Sequence, residues 1–209
     1  MITNWPSILY PLFEICDAAR VSLKLNHEHG HKVHLFGLWS ATILNCHAGN
    51  LLSHLLRGKP ALDAFNNVTY IALVSFIFLL IRFTPGKLVE KFLRIPPIEV
   101  TSIMLCEVFR SHKILKGINE GQLAYPGTFW PSILIGSIRG NGSGWMKPIR
   151  AIILNDPSSV FKSEWHSPSS GARLAILSAI LLTFSNQDPF IFNSLVGLLV
   201  SIELRNAYA

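Results

Sequence analysis

The sequence predicts an all-α membrane protein of seven transmembrane helices, built as two inverted three-helix repeats plus a seventh helix. Three observations carry that prediction. Charged residues make up only 14% of the 209 residues, against about 25% in ordinary soluble domains. Half of the residues are hydrophobic and mean hydropathy is +0.39, so too few charges remain to coat a water-facing surface. Apolar runs close to the length of a bilayer crossing recur along the chain, and two of them carry similar glycine-rich interruptions. The same composition excludes disorder, a collagen-like repeat and a coiled coil. Cys16, Cys46 and Cys106 lack CxxC spacing and read as buried free thiols rather than a disulfide framework.

A hydrocarbon core about 30 Å thick takes about 20 mostly apolar helical residues. The first segment, about 6–25, is interrupted by Glu14, Asp17 and Arg20. The second, about 33–56, carries Gly37, Asn45, His47, Gly49, Asn50 and His54. The third, about 67–82, has the purest apolar run, TYIALVSFIFLLI. A short amphipathic piece, 87–94, is expected to lie along the interface. Pro96 and Pro97 open a fourth segment, about 98–117, at positions where a helix start tolerates proline. The fifth, about 129–154, is broken by GSIRGNGSGWMKP. The sixth, 171–184, and the seventh, 189–207, are short and cleaner. The whole reads as a single domain over 1–209, with repeat one about 5–82, repeat two about 96–185 and the seventh helix about 189–207.

The net charge of +6 forms no basic stripe interleaved with exposed aromatics, so nucleic acid is not an expected partner. The cations instead flank apolar segments, as they do beside anionic lipid. With the N-terminus facing away from the cytoplasm, Lys24, Lys32, Arg82, Lys87, Lys91, Arg94, Lys147, Arg150, Lys162, Arg173 and Arg205 fall on the cytoplasmic side. Arg57, Lys59, Lys113 and Lys116 fall opposite, which is the bias the positive-inside rule favours. An odd number of spans then leaves the C-terminus cytoplasmic. The opening residues lack the basic start of a signal peptide, so insertion is expected to depend on the helices themselves.

Segments two and five are each the middle member of a triplet, and each is glycine-broken near its centre. Three spans per triplet force opposite orientations, and matched interruptions in inverted halves point to a central ion or substrate site. Breaks at Gly49, Gly140 and Gly142 would free backbone carbonyls and helix ends to face ions. The alternative use of the same glycines is close helix packing.

Ionisable side chains within a bilayer cost roughly 2.5–3.5 kcal/mol each on insertion scales, so each needs a partner or water. Glu14, Asp17 and Arg20 recur at three-residue spacing and share one helical face, as a buried charge network. Glu107 and Arg110 do likewise, with Lys113 one turn further, and Arg139 stands alone at a glycine break. These groups either fix helix packing or line a hydrated ion path. His27, Glu28 and His31 spell H-E-x-x-H, with His29 inside it and His34 following, but Gly30 interrupts the helical turn a zinc protease needs and no third ligand follows. GNGSG lacks the GK[ST] of a phosphate loop, and Ser143 lacks the G-x-S-x-G setting of a nucleophile elbow. An enzyme is therefore not expected; the competing readings are a secondary transporter with inverted repeats and, less favoured, an intramembrane zinc protease using His27, Glu28 and His31.

Over nearly its whole length, and most recognisably at segment four, the chain resembles a known family. CEVFRSHKILKGI, holding Glu107, Arg110, Lys113 and Gly117, is similar to the KEV-type fourth helix of trimeric intracellular cation (TRIC) channels. YPLFEICDAA, ILNCHAGNLLSHLLRGKPALDAF, IRGNGSG and ILLTF follow the family in order and spacing. The likeness is to an animal-type member without the usual basic cytoplasmic tail. It implies a homotrimer with one hourglass pore per protomer, passing K⁺ and, less selectively, Na⁺ as counter-ions to Ca²⁺ release and uptake. It also implies the endoplasmic or sarcoplasmic reticulum membrane, or the nuclear envelope, with a luminal N-terminus and membrane lipid as a partner. No covalent cofactor is implied, but a phosphatidylinositol bisphosphate is, held by basic residues of segment four. The family's KEV lysine is Cys106 here, whereas Arg110 matches the second basic position. Arg110, Glu107, Lys113, Arg139 and Cys106 are thus the expected pore or head-group residues.

Overall fold

A computed structural model of the chain describes residues 10–84, 88–156 and 167–208. Helix α1 (Tyr10–His29) leads through a turn to α2 (Leu35–Leu56), a 3-10 turn (Ala61–Phe65) and α3 (Val68–Phe83). The short α4 (Leu88–Leu93) precedes α5 (Pro96–Ala124). Three pieces follow, α6 (Trp130–Gly140), α7 (Gly142–Trp145) and α8 (Lys147–Ile153), and then α9 (Ser170–Phe184) and α10 (Pro189–Tyr208). No strand occurs among the described residues. Lys87 and Lys162, counted above with the cytoplasmic cations, lie outside those residues, as does the start of segment one.

Local chemistry explains the helix starts. The Asn67 side chain accepts from the Tyr70 N–H at 3.1 Å, and the Ser169 hydroxyl accepts from the Ala172 N–H at 3.2 Å, each satisfying a donor the helix leaves open. Proline occupies the first turn of α5, α6 and α8, where its missing N–H costs nothing. At the end of α4, Glu90 pairs with Arg94, the residue after the helix, at 2.8 Å.

Two packing groups form. Ala18, Cys46 and Val74 join α1, α2 and α3, and Leu25, Leu38 and Phe78 extend that contact toward Leu154 after α8. Ile114, Ile118, Ile133, Ala179 and Phe192 join α5, α6, α9 and α10. The outer faces stay apolar: Phe76, Trp130, Phe184 and Phe190 are exposed, as suits side chains facing lipid rather than water. Helix α10 has the length and apolar composition to cross a membrane, and α3 and α9 are shorter apolar helices.

Two expectations are corrected here. Helix α2 runs unbroken through Gly49, so the glycine there does not interrupt a span. A Cβ on Gly49 would lie 2.6 Å from the Arg139 carbonyl oxygen, and one on Gly142 would run into the Gly49 backbone. The glycine serves close approach, which hydropathy patterning cannot tell from a break. By contrast, the fifth segment is interrupted where the glycines sit: α6 ends at Gly140, Asn141 leaves helical geometry at φ −134°, and Gly142 opens α7. The second correction concerns α5, whose 29 residues reach about 43 Å at 1.5 Å per residue. It extends seven residues past the expected end and carries Glu120 with it.

Candidate functional site

Where α1, α2, α3, α5 and the α6–α7 break meet, they line a partly open cavity of about 840 Å³. The residues singled out from sequence converge on its wall. Glu14, Asp17 and Arg20 come from α1, Gly49 from α2, Cys106, Glu107, Arg110 and Lys113 from α5, and Arg139, Gly140 and Gly142 from the break. Lys113 and Lys116, assigned above to the side opposite the cytoplasm, sit on this wall as well. They belong to the body of α5, because that helix is longer than its apolar stretch.

The α1 charges do not form a network with one another. Lys113 Nζ reaches Asp17 Oδ2 at 2.7 Å, joining α5 to α1, and also lies 4.1 Å above the Phe109 ring. Arg20 comes only within 4.0 Å of Glu203 on α10, with both side chains about one-third exposed. Glu14 has no ion pair among the described residues. The three α1 groups share a face as their spacing predicts, but they are half-buried rather than buried, because that face looks into the cavity.

Arg110 is more deeply engaged. Its Nη1 donates to Glu107 at 3.4 Å, its Nε donates to the Gly140 carbonyl at 3.1 Å, and its Nη2 donates to the Gly171 carbonyl. One guanidinium therefore ties α5 to the end of α6 and the start of α9. Helix ends leave carbonyls without intrahelical partners, and the break at Asn141 supplies such a carbonyl.

Arg139 does not stand alone, as sequence suggested. It pairs with Glu120, which also receives Arg57 at 3.1 Å and the Ser53 hydroxyl at 3.3 Å. Tyr125 adds a hydroxyl hydrogen bond to the Leu56 carbonyl at 2.7 Å. The ends of α2, α5 and α6 are thus fastened by one carboxylate between two arginines. Sequence reading missed Glu120 because it lies beyond the apolar part of segment four. Its 13-residue separation from Glu107 carried no signal of this role.

The three thiols are free, with Cys46 buried and Cys16 and Cys106 half-buried. His47 is enclosed by Phe65 and Tyr70, with ring centroids 5.1 and 4.9 Å away, and its Nδ1–H donates to the Ile43 carbonyl at 3.0 Å. The H-E-x-x-H stretch begins on a helix, since α1 extends through His29. A turn follows it, so His27 and His31 do not share a continuous helix. His29 instead meets Asp156 at 3.3 Å.

The TRIC channel family model matches residues 26–204. Trimeric intracellular cation channel type 1B.2 of Caenorhabditis elegans is 25% identical over 196 residues, covering 88% of this chain and 60% of that protein. The human type A channel is 28% identical over 182 residues, covering 84% and 60%. The chain thus spans about 60% of the length of these curated relatives. Among solved structures, a trimeric intracellular cation channel from C. elegans without Ca²⁺ superposes with a TM-score of 0.84 at 24% identity, covering 96% of this chain and 91% of that one. A TRIC counter-ion channel solved in the context of calcium release gives 0.85 at 23%, covering 94% and 92%. The fold is shared with both. On the extent of the family match, the chain belongs to the TRIC channel family, whose members are membrane ion channels and not enzymes.

Proposed function

We propose that the chain is the protomer of a homotrimeric, K⁺-conducting channel of the endoplasmic or sarcoplasmic reticulum, with Na⁺ passing less selectively. Its current would balance charge during Ca²⁺ release and uptake. Moving charge out of a closed store builds a potential that costs about 2.3 kcal/mol per elementary charge per 100 mV, and a monovalent path removes that cost without covalent chemistry. The observation that carries this reading is the charged cavity inside one protomer, bounded by helices from both packing groups. Two inverted repeats with a seventh helix, a luminal N-terminus and a cytoplasmic C-terminus complete the proposal. With Lys113 and Lys116 on the cavity wall, Arg57 and Lys59 alone remain of the cations assigned opposite the cytoplasm, which sharpens the bias behind that orientation.

Phosphatidylinositol bisphosphate belongs to the proposal with a reduced role. A head group needs free cationic donors, but Cys106 is neutral and Arg110 already donates to Glu107, Gly140 and Gly171. The residues present fit a polyanionic head group poorly, so conduction is proposed to depend only weakly on it.

Purified protein in planar bilayers with a KCl gradient tests the reading. Unitary currents reversing near the K⁺ equilibrium potential are expected. Saturable flux without unitary events would place the protein with alternating-access transporters, and no ion flux from a correctly assembled trimer would overturn it.

A further inference from the structure

We infer that Glu14 is the residue that draws cations into the protomer cavity and sets the charge preference of its conduction. The inference rests on the cavity being the ion path, as proposed above. Three carboxylates line that cavity: Glu14, Asp17 and Glu107. Two are neutralised in place, Asp17 by Lys113 at 2.7 Å and Glu107 by Arg110 at 3.4 Å. Glu120, close by at the ends of α2, α5 and α6, is held between Arg57 and Arg139. Glu14 alone among these acids has no cationic partner within 4 Å among the described residues.

The position matters as much as the missing partner. Along α1, Glu14 follows Tyr10 by one turn and precedes Asp17 by three residues, so it faces the Lys113 level of α5. Cationic groups occupy the wall on either side of that level. Arg20 and Arg110 lie toward the start of α5, and Lys116 and Arg139 toward its end. Those cations outnumber the acids on the wall, and Glu14, whose charge no ion pair within 4 Å cancels among the described residues, lowers the barrier they raise against a permeating cation. A carboxylate with free lone pairs can replace part of the hydration shell of a monovalent cation, which a carboxylate already bonded to an ammonium or guanidinium cannot do as well. Glu14 is held in place by its helix, since neighbouring Phe13 is buried and stacks on Phe109 at 6.1 Å.

The experiment compares wild type, Glu14→Gln and Glu14→Asp as purified trimers in planar bilayers, with trimer elution and melting temperature recorded for each. One unpaired charge about 10 Å from a permeating ion alters its local concentration about two-fold in aqueous dielectric. Screening should erase that effect as the Debye length falls from about 30 Å at 0.01 M salt to about 3 Å at 1 M. Glu14→Gln is therefore expected to lower K⁺ conductance about two-fold or more at the low salt concentration, with little change at the high one. Its reversal potential in a KCl gradient should move toward that of Cl⁻, while Glu14→Asp keeps wild-type behaviour. A merely structural role would lower the melting temperature and leave the salt dependence and reversal potential alone. Wild-type conductance, salt dependence and reversal potential in Glu14→Gln would overturn the inference while leaving the channel reading intact. Absence of unitary currents in wild type would instead remove the channel reading itself.

Discussion

Arg110 commits three of its nitrogens to its own protein: a carboxylate one turn back on α5, and carbonyls at the α6 terminus and near the α9 start. Removing a partner from a buried ion pair leaves a charge without compensation, typically a loss of 3–5 kcal/mol. Arg110→Ala is accordingly expected to destabilise the folded protein by about 3 kcal/mol, read as a shift in the denaturation midpoint in detergent. Arg110→Lys should recover only part, since an ammonium cannot span the same fork. An alanine variant as stable as wild type would remove the clamp from the account. Glu120 makes a parallel case. Glu120→Gln leaves Arg57 and Arg139 facing each other with a neutral amide between them, and a loss of about 3 kcal/mol is expected. Glu120→Gln combined with Arg139→Met should recover a measurable part, because the double change also removes one of the two repelling cations. A double variant no more stable than the single one would count against the bridge.

At the scale of elements, the contact between α2 and the α6–α7 break decides how the two packing groups meet. Added methylenes in a packed interior usually cost about 1–3 kcal/mol, and at Gly142 the obstruction is backbone rather than a flexible side chain. Gly142→Ala is expected to lie at or above the top of that range and to lower the yield of folded protein. Gly197→Ala is the matched contrast, because nothing lies within 4 Å of a Cβ there. It should be neutral, or stabilising by up to about 1 kcal/mol from helix propensity. Thermal midpoints of the two variants separate these outcomes, and equal midpoints would show that the Gly49–Gly142 contact does not matter to stability. The elements themselves were legible in the sequence to within a few residues for α2, α3, α9 and α10, where apolar runs and caps agree. Helix α5 was underestimated because its last two turns are polar, and polarity at the end of a span looks like a loop. The paired break was half right. Glycine interrupts α6–α7 but only thins α2, and the choice depends on which backbone comes to lie opposite, a fact outside either segment.

For the whole molecule, the readout is current. Cys106→Lys would place a cation next to Arg110 on the cavity wall, and one such charge near an anionic lipid is worth about 1 kcal/mol. The expected result is tighter phosphatidylinositol bisphosphate binding, about five-fold on that scale, together with altered conductance or voltage response in bilayers. Identical currents and lipid affinity would show that position 106 does not face the head group. Glu14 belongs to the same scale, since its effect is carried by a field across the cavity rather than by any one contact.

The sequence by itself determined the class of molecule. Charge scarcity, repeated apolar runs and the order of short motifs required an all-helical membrane protein and pointed to its family, because each of those signals is local or additive along the chain. It also named most of the chemistry-bearing residues, Glu120 excepted, and the structure gathers the named ones around one cavity. Only the tertiary structure decided which of them are free to act. Asp17 and Arg139 lose their independence to Lys113 and Glu120, partners 96 and 19 positions away. Glu14, indistinguishable from Asp17 by spacing or type, is left without one. Pairing at such separations depends on how helices pack side by side, and helical periodicity fixes the face a residue occupies but not what stands opposite it.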